Sequence, residues 1–189
     1  QDLFQGLKIM DAGKTYLTHM GKYPVISLTL KSMKQSSYEE TFYCMKETIA
    51  NEFQRHDEIL PHLTYDADRK KFLRFVEQDA HPEEYLSALK FLSKCLAQAY
   101  DRKVIILIDE YDVPLENAYF GGFYEHMINL IHSLFESALK TNDNLEFAVI
   151  TGCLRISKES IFTGLNNLNV ISITNHHFAE HFGFTQKET

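Results

Sequence analysis

The order of hydrophobic and polar residues along the chain alternates between a pattern typical of strands and one typical of helices. Three runs rich in β-branched residues predict strands at residues 23–30, 103–108 and 145–151, and a further run predicts a last strand at residues 168–174. Between these runs, apolar residues recur at intervals of three and four, which predicts amphipathic helices. The resulting β-α-α-α-β-α-β-α-β order predicts an α/β fold with a mainly parallel sheet.

Local signals mark where two of the predicted helices begin. Ser36 and Ser37 precede a pair of glutamates, and hydroxyl side chains in that position accept hydrogen bonds from the first turn of a helix. Pro82 suits the first turn of a later helix, because the N–H that proline lacks is not needed there. The predicted helices cover residues 36–56, 69–77, 82–99 and 123–140, with a single helical turn at residues 157–162.

The run at residues 103–108 is the most informative segment of the chain. Apart from its first residue it consists of Val, Ile and Leu, which predicts a central strand covered by helices on both faces. The predicted fold class is therefore a three-layer α/β/α sandwich. The run ends abruptly in Asp109, Glu110, Tyr111 and Asp112. Because ligands bind beyond the carboxyl ends of the strands in open parallel sheets, these acids are candidates for a functional site.

Two adjacent acids at the end of a buried strand are typical of nucleotide hydrolases that use Mg²⁺. Asp109 would face the metal ion through its water shell, and Glu110 would act as general base on the attacking water. The alternative is that both acids simply end the strand at the protein surface. A third interpretation joins Asp109, Glu110 and Asp112 in the metal cluster of a nuclease, but the neighbouring strands end in Thr and offer no further acids.

The strand predicted at residues 145–151 ends in Thr151. If this strand lies next to the strand that leads into Asp109, the Thr151 hydroxyl lies close to Asp109 and Glu110. It would then sense a terminal phosphate or hold the attacking water. Arg155 and Lys158 follow, and either would place positive charge near developing phosphoryl charge. The alternative is that both are exposed basic side chains of a helix that begins at Ser157.

A phosphate-binding loop is missing from the sequence. Such a loop has a glycine, four further residues and then Gly-Lys-Ser/Thr, so that backbone N–H groups surround the phosphates. Gly13, Lys14 and Thr15 reproduce the end of this pattern, but Lys8 stands where the first glycine is required. The preceding residues 7–10 also make a poor buried strand. We therefore interpret this triplet as unrelated to nucleotide binding.

Composition and charge narrow the class of protein. A net charge of −7 and a pI near 5.7 disfavour strong direct binding to nucleic-acid phosphates. The longest strongly apolar run, residues 104–108, is far shorter than the roughly 20 residues that cross a bilayer. Cys44, Cys95 and Cys153 are widely spaced, and no apolar leader opens the chain. This pattern favours reduced thiols in a cytoplasmic protein.

Several segments of the chain resemble the AAA-ATPase-like family of bacterial P-loop NTPases. The resemblance spans essentially the whole chain and is carried by residues 19–26, 104–115, 150–167 and 182–185. It implies that Asp109 is the Mg²⁺-site acid of the Walker B segment and that Glu110 is the catalytic acid. It also implies that Thr151 and Arg155 belong to the sensor region and that the nucleotide is ATP.

The resemblance also implies that part of the domain is missing. Residues 1–189 correspond to a single partial domain with the Walker B segment and the sensor region, while a strand and Walker A loop lie upstream of Gln1. A PD-(D/E)XK nuclease-like domain is expected downstream in the parent protein. Without the missing strand, residues 145–151 keep an open edge, which predicts a homo-oligomer through that edge. The isolated chain is expected neither to bind Mg²⁺ and ATP tightly nor to hydrolyse ATP.

Two functions therefore compete. In the first, the full-length parent binds and hydrolyses ATP to drive a conformational switch. In the second, the chain is a non-catalytic, degenerate P-loop-fold module that acts in protein assembly. Mg²⁺-dependent ATP binding and turnover by a polypeptide extended upstream of Gln1 would distinguish the two.

Overall fold

A parallel sheet of three strands is the framework of the fold. The computed structural model describes residues 2–153, 161–162, 168–172, 175 and 186. The strands are β1 (Val25–Thr29), β2 (Val104–Asp109) and β3 (Leu145–Ile150), in that spatial order. The register pairs Thr29 with Asp109 and Leu107 with Val149. The three strand predictions are confirmed, with boundaries that differ by at most two residues.

One short helix precedes β1, and the other helices fill the connections between the strands. They are α1 (Lys14–Leu17), α2 (Tyr38–Gln54), α3 (Asp66–Val76), α4 (Pro82–Tyr85), α5 (Ala88–Tyr100), α6 (Val113–Gly121) and α7 (Tyr124–Phe135). Short 3₁₀ turns cover Asp2–Phe4, Lys8–Asp11 and Asp57–His62, and α7 continues as a π turn over Glu136–Lys140. Among the described residues, no helix combines the length and apolar character needed to span a membrane.

The helix predictions hold where local sequence signals are strong. Ser37 caps α2 as predicted, because its Oγ accepts a hydrogen bond from the Glu40 N–H at 3.3 Å. The single helix predicted from Pro82 is instead divided into α4 and α5. The helix α6 was not predicted, since its residues are apolar on nearly every side and show no helical period.

The predicted last strand is not seen in the part of the chain that the structure describes. Residues 168–172 lie in neither a helix nor a strand, and residues 173 and 174 are outside the described set. Of the predicted helical turn at residues 157–162, only Ile161 and Phe162 are described, and they form a bend. The sheet of the described residues therefore has three strands.

An aromatic cluster joins the helices that cover the sheet. Phe53 of α2 stacks on Phe75 of α3 with 4.5 Å between ring centroids, and it contacts Phe72 at 5.0 Å and Phe91 of α5 at 6.2 Å. Tyr85 of α4 meets Phe75 edge-on at 5.3 Å. Such offset and edge-on pairs are the favoured arrangements of aromatic rings. The cluster packs with the buried sheet residues Ile26, Leu28, Val104, Ile106 and Ile108 in one core.

The opposite face of the sheet is only partly covered. Leu107 is 37% exposed, Phe147 60% and Val149 40%, and Ile105 is half-buried beside them. The register places Ile105 against Phe147 and Leu107 against Val149, so the four side chains form one apolar patch. The prediction that β2 is covered on both faces is therefore wrong for the described residues. An unbroken apolar run predicts a strand, but it does not predict which segment of the chain covers each face of the sheet at that strand.

The two edges of the sheet are also unlike each other. On β1, the Ser27 N–H donates to Oε1 of Glu52 at 2.7 Å, and the Val25 carbonyl accepts from Arg55 at 2.5 Å and lies 3.1 Å from Nε2 of His56. Three side chains, from α2 and the two residues that follow it, thus contact two backbone groups of this edge. We call them the β1 cap. Such capping keeps a sheet edge from pairing with another strand.

The outer edge of β3 has no strand partner among the described residues. The Thr151 N–H donates to the Ile108 carbonyl at 2.8 Å. Because backbone groups alternate in direction along a strand, the N–H and C=O groups of Val149 and Phe147 also point towards β2. The backbone groups of Ala148 and Ile150 therefore point away from the sheet. This edge adjoins the exposed apolar patch, which makes β3 the side on which the sheet can be extended.

Candidate functional site

The chain turns sharply where β2 ends at the candidate acids. Glu110 has a φ of 55°, a left-handed conformation that costs a residue other than glycine about 1–2 kcal/mol. Its carbonyl accepts a hydrogen bond from the Val113 N–H at 3.2 Å, which leads directly into α6. The turn keeps Asp109 and Glu110 together at the carboxyl edge of the sheet. Unfavourable backbone conformations of this kind often accompany functional sites, which motivates a functional hypothesis here.

The structure brings Asp109 and Thr151 into contact. The Thr151 hydroxyl donates a hydrogen bond to Oδ1 of Asp109, and the Tyr111 N–H donates to the Thr151 carbonyl at 3.1 Å. Both side chains belong to exposed residues. The ends of β2 and β3 meet in this way because adjacent parallel strands run to the same edge. The sequence-based expectation that these two residues are neighbours is confirmed, while their chemical roles stay predictions.

A second link between the two strand ends was not foreseen. Asp112 is buried, with 2% of its surface exposed, and its Oδ2 accepts a hydrogen bond from the Cys153 N–H at 3.0 Å. Gly152 lies close to the side chains of Tyr111 and Asp112. A Cβ added to it would be 2.6 Å from Oδ1 of Asp112 and 2.7 Å from the Tyr111 ring. Gly152 therefore permits the close approach of the two turns. The two bonded residues are 41 positions apart, and no sequence pattern signals their contact.

The oxygen atoms at this edge suit a hard cation. Mg²⁺ prefers carboxylate, hydroxyl and phosphate oxygens and keeps several waters, so one or two protein carboxylates suffice when a phosphate supplies the rest. Asp109 with the adjacent Glu110 and Thr151 fits that donor set. Within the described residues, no three His, Cys, Asp or Glu side chains converge to hold a metal ion by themselves. The nuclease-type cluster that included Asp112 is also disfavoured, since this carboxylate is buried against Cys153.

Other candidates lie elsewhere or outside the described residues. Arg155, Ser157 and Lys158 fall in residues 154–160, which the structure does not describe. Gly13 caps the short helix α1, Lys14 and Thr15 are the first residues of that helix, and no strand precedes them among the described residues. This arrangement agrees with the spacing argument against a phosphate loop at that position, because such a loop connects a strand to a helix.

Comparison with known proteins gives one family and one distant relative. The sequence matches the model of the AAA-ATPase-like family, described as "Predicted AAA-ATPase", over residues 1–162. It is also 32% identical over 78 residues to an "Uncharacterized protein in vnfD 5'region" from Azotobacter chroococcum mcd 1. The match covers 41% of this chain and 15% of the length of that relative. No solved structure matches the chain.

Proposed function

This chain belongs to the AAA-ATPase-like family, and we propose that it is the acid-bearing part of a domain that binds and hydrolyses ATP. The observation that carries the proposal is the contact between Asp109 and Thr151 at the carboxyl edge of a parallel sheet. That edge is where such sheets bind their ligands. The family match, which covers most of the chain, supports the nucleotide.

Each residue of the site has a separate task in the proposed reaction. Asp109 would hold Mg²⁺ through the water shell of the ion, which would supply positive charge for the phosphate oxygens. Glu110 accepts a proton from the attacking water as general base. Thr151 orients Asp109 through the hydrogen bond that its hydroxyl donates, and the lone pairs of the same oxygen can accept a hydrogen bond from the attacking water. Arg155, outside the described residues, supplies positive charge in the sensor region.

The phosphate-binding segment comes from polypeptide upstream of Gln1 in this proposal. It contributes a Walker A strand and loop, and the strand adds to β3 through the outward-facing backbone groups of Ala148 and Ile150. The segment that follows covers the apolar patch of Ile105, Leu107, Phe147 and Val149. Support comes from the coincidence of an open edge and an uncovered apolar face on the same side of the sheet. Residues 1–189 are then one partial domain.

In the absence of that segment, we propose that two copies of the chain pair through β3. Replacing Ala148 by Pro removes an N–H that faces away from β2, so the internal ladder of the sheet keeps its bonds. Light scattering should show a mass that rises above 22.0 kDa with concentration for the natural sequence but stays monomeric for Ala148→Pro. Circular dichroism serves as the check on folding. A natural chain that stays monomeric, with a mass of 22.0 kDa at high concentration, would contradict this self-association.

The test of the ATPase proposal uses a polypeptide extended upstream of Gln1. We expect Mg²⁺-dependent ATP turnover that falls about 100-fold in Asp109→Asn, because the charge stabilisation by a bound metal ion is worth several kcal/mol. Asp101→Asn at the opposite end of the sheet is the matched control, since Asn also adopts the left-handed conformation of that residue.

Two outcomes would count against this function. Turnover that does not depend on Asp109 would remove the residue from the metal site. Absence of both ATP binding and turnover would favour the non-catalytic module that acts in assembly, for which the open β3 edge would be the contact surface.

A further inference from the structure

Two aromatic side chains lie exposed at the end of α6. Phe120 is 80% exposed and Tyr119 is 69% exposed, and their rings meet edge-on with 5.6 Å between centroids. Tyr119 also meets Tyr124 of α7 edge-on at 6.1 Å. Single exposed apolar residues are common on protein surfaces, but an adjacent exposed aromatic pair presents a large contact area. We call Tyr119, Phe120 and Tyr124 the aromatic ledge.

A left-handed glycine turn joins the ledge to α7. Gly122 ends α6 in the left-handed region with a φ of 78°, and the Phe123 N–H donates to the Ala118 carbonyl at 3.0 Å. Gly121 packs directly on Phe123, since an added Cβ would lie 2.5 Å from that ring. This glycine pair therefore allows the tight turn between α6 and α7 that leaves the rings of Tyr119 and Phe120 at the surface.

A cavity of about 520 Å³ lies next to the ledge, beginning at Gly121. Ser36, Ser37 and Tyr38 at the start of α2 line one side, and Phe123 and His126 line the other. The rings of Tyr38 and His126 are 5.6 Å apart. The cavity is large enough for one or two side chains of a binding partner, and Gly121, which lines it, directly follows Phe120 in the chain.

Carboxylates dominate the charge around this surface. Residues 34–40 and 116–126 carry Glu39, Glu40, Glu116 and Glu125 against a single Lys34. The positive end of α2 is already neutralised, because Glu40 accepts a hydrogen bond from the Ser36 hydroxyl at 2.6 Å and its N–H donates to Ser37. An anion therefore finds no available helix terminus in the cavity.

We propose that the aromatic ledge and the adjacent cavity bind a polypeptide segment that carries a large apolar side chain flanked by Lys or Arg. The apolar side chain enters the cavity beside Phe123, while the cations contact the faces of Tyr119 and Phe120 and the surrounding carboxylates. Nucleic-acid bases also stack on aromatic rings, but the carboxylates would repel the phosphates. This surface is independent of the proposed ATPase chemistry.

The test measures binding of a defined probe by fluorescence anisotropy. The probe is a labelled octapeptide with a Leu-Phe centre between two pairs of Lys, and the comparison is the same peptide with Glu in place of Lys. We expect the Lys peptide to bind at least tenfold more tightly than the Glu peptide. Phe120→Ser should weaken binding of the Lys peptide at least tenfold, and Glu39→Gln should reduce its salt dependence.

Tyr65→Ser is the matched control, because Tyr65 is an exposed aromatic residue, 64% accessible, at the start of α3. It should change the affinity less than twofold, and thermal melts should confirm that both variants fold. Equal losses in Phe120→Ser and Tyr65→Ser would overturn the proposal. So would binding of a labelled oligothymidine that depends on Phe120, or self-association abolished by Phe120→Ser, since these results would assign the ledge to nucleic acid or to a second copy.

Discussion

Replacing Glu110 by Gln is expected to lower kcat for ATP hydrolysis by about 10²–10⁴-fold, the usual effect of removing a general base. Gln has nearly the same shape as Glu, so the left-handed turn and the adjacent Asp109 are retained. Mg²⁺-dependent ATP binding should therefore stay nearly unchanged. Steady-state turnover and a nucleotide titration, both on the polypeptide extended upstream of Gln1, measure the two quantities separately.

The separation of binding from turnover distinguishes the two acids. Asp109→Asn should impair Mg²⁺-dependent binding as well as turnover, whereas Glu110→Gln should impair turnover alone. Glu83→Gln is the control, because Glu83 is an exposed glutamate in the first turn of α4. Full activity of Glu110→Gln would mean that another group activates the water.

Replacing Glu52 by Ala is expected to lower the free energy of unfolding by about 3 kcal/mol. Glu52 is buried, and its carboxylate accepts hydrogen bonds from Ser27 at 2.7 Å and from Arg55 at 2.6 and 2.8 Å. Removal of one partner from a buried ion pair typically costs about 3–5 kcal/mol. We expect the low end of this range because the Arg55 side chain is 48% exposed. Urea denaturation at pH 7 gives the value.

The stability contributed by Glu52 should depend on pH. Burial opposes its ionisation, but hydrogen bonds from His56, Arg55 and the Ser27 N–H more than compensate and hold the pKa of Glu52 below its usual value. A lowered folded-state pKa means that this contribution is complete above the unfolded-state pKa of about 4.3. It is then lost as the pH falls through the folded-state pKa.

The difference in unfolding free energy between the natural sequence and Glu52→Ala should therefore shrink below about pH 4.3. Glu47→Ala is the control, since Glu47 is exposed on the same helix and its removal should change stability by less than about 0.5 kcal/mol. A difference that stays constant down to acid pH would show that the Glu52 effect comes from packing and not from its charge.

Strands and capped helices were predictable because their signals are local. The β-branched runs identified the three strands of the described residues, although a fourth predicted strand at residues 168–174 is not seen there, and Ser37 marked the start of α2 within two residues. By contrast, α6 carries apolar residues without a helical period, so periodicity could not reveal it. The exposure of Leu107 and Phe147 could not be predicted either. A run of apolar residues indicates a strand that favours burial, but it does not indicate which segment packs on each face.

The candidate site was predictable only in part for a similar reason. Asp109 and Thr151 each end a strand, and the rule that parallel strands finish at one edge was sufficient to bring them together. The buried bond of Asp112 to the Cys153 N–H follows no such rule. This bond depends on the close approach of the two turns that Gly152 allows. That approach is a property of the folded backbone, and it cannot be predicted from the residue types of Asp112 and Cys153.

The β1 cap has a consequence for how large an assembly built on this sheet can grow. If two copies join through β3, the outer boundary of the pair on each side is a β1 strand. On that strand the Ser27 N–H and the Val25 carbonyl already contact side chains of the β1 cap. A third copy would then meet an edge on which these two backbone groups are already bonded. Strand-mediated association, as proposed, would therefore stop at a closed pair, whereas a sheet open on both sides would propagate into a fibre.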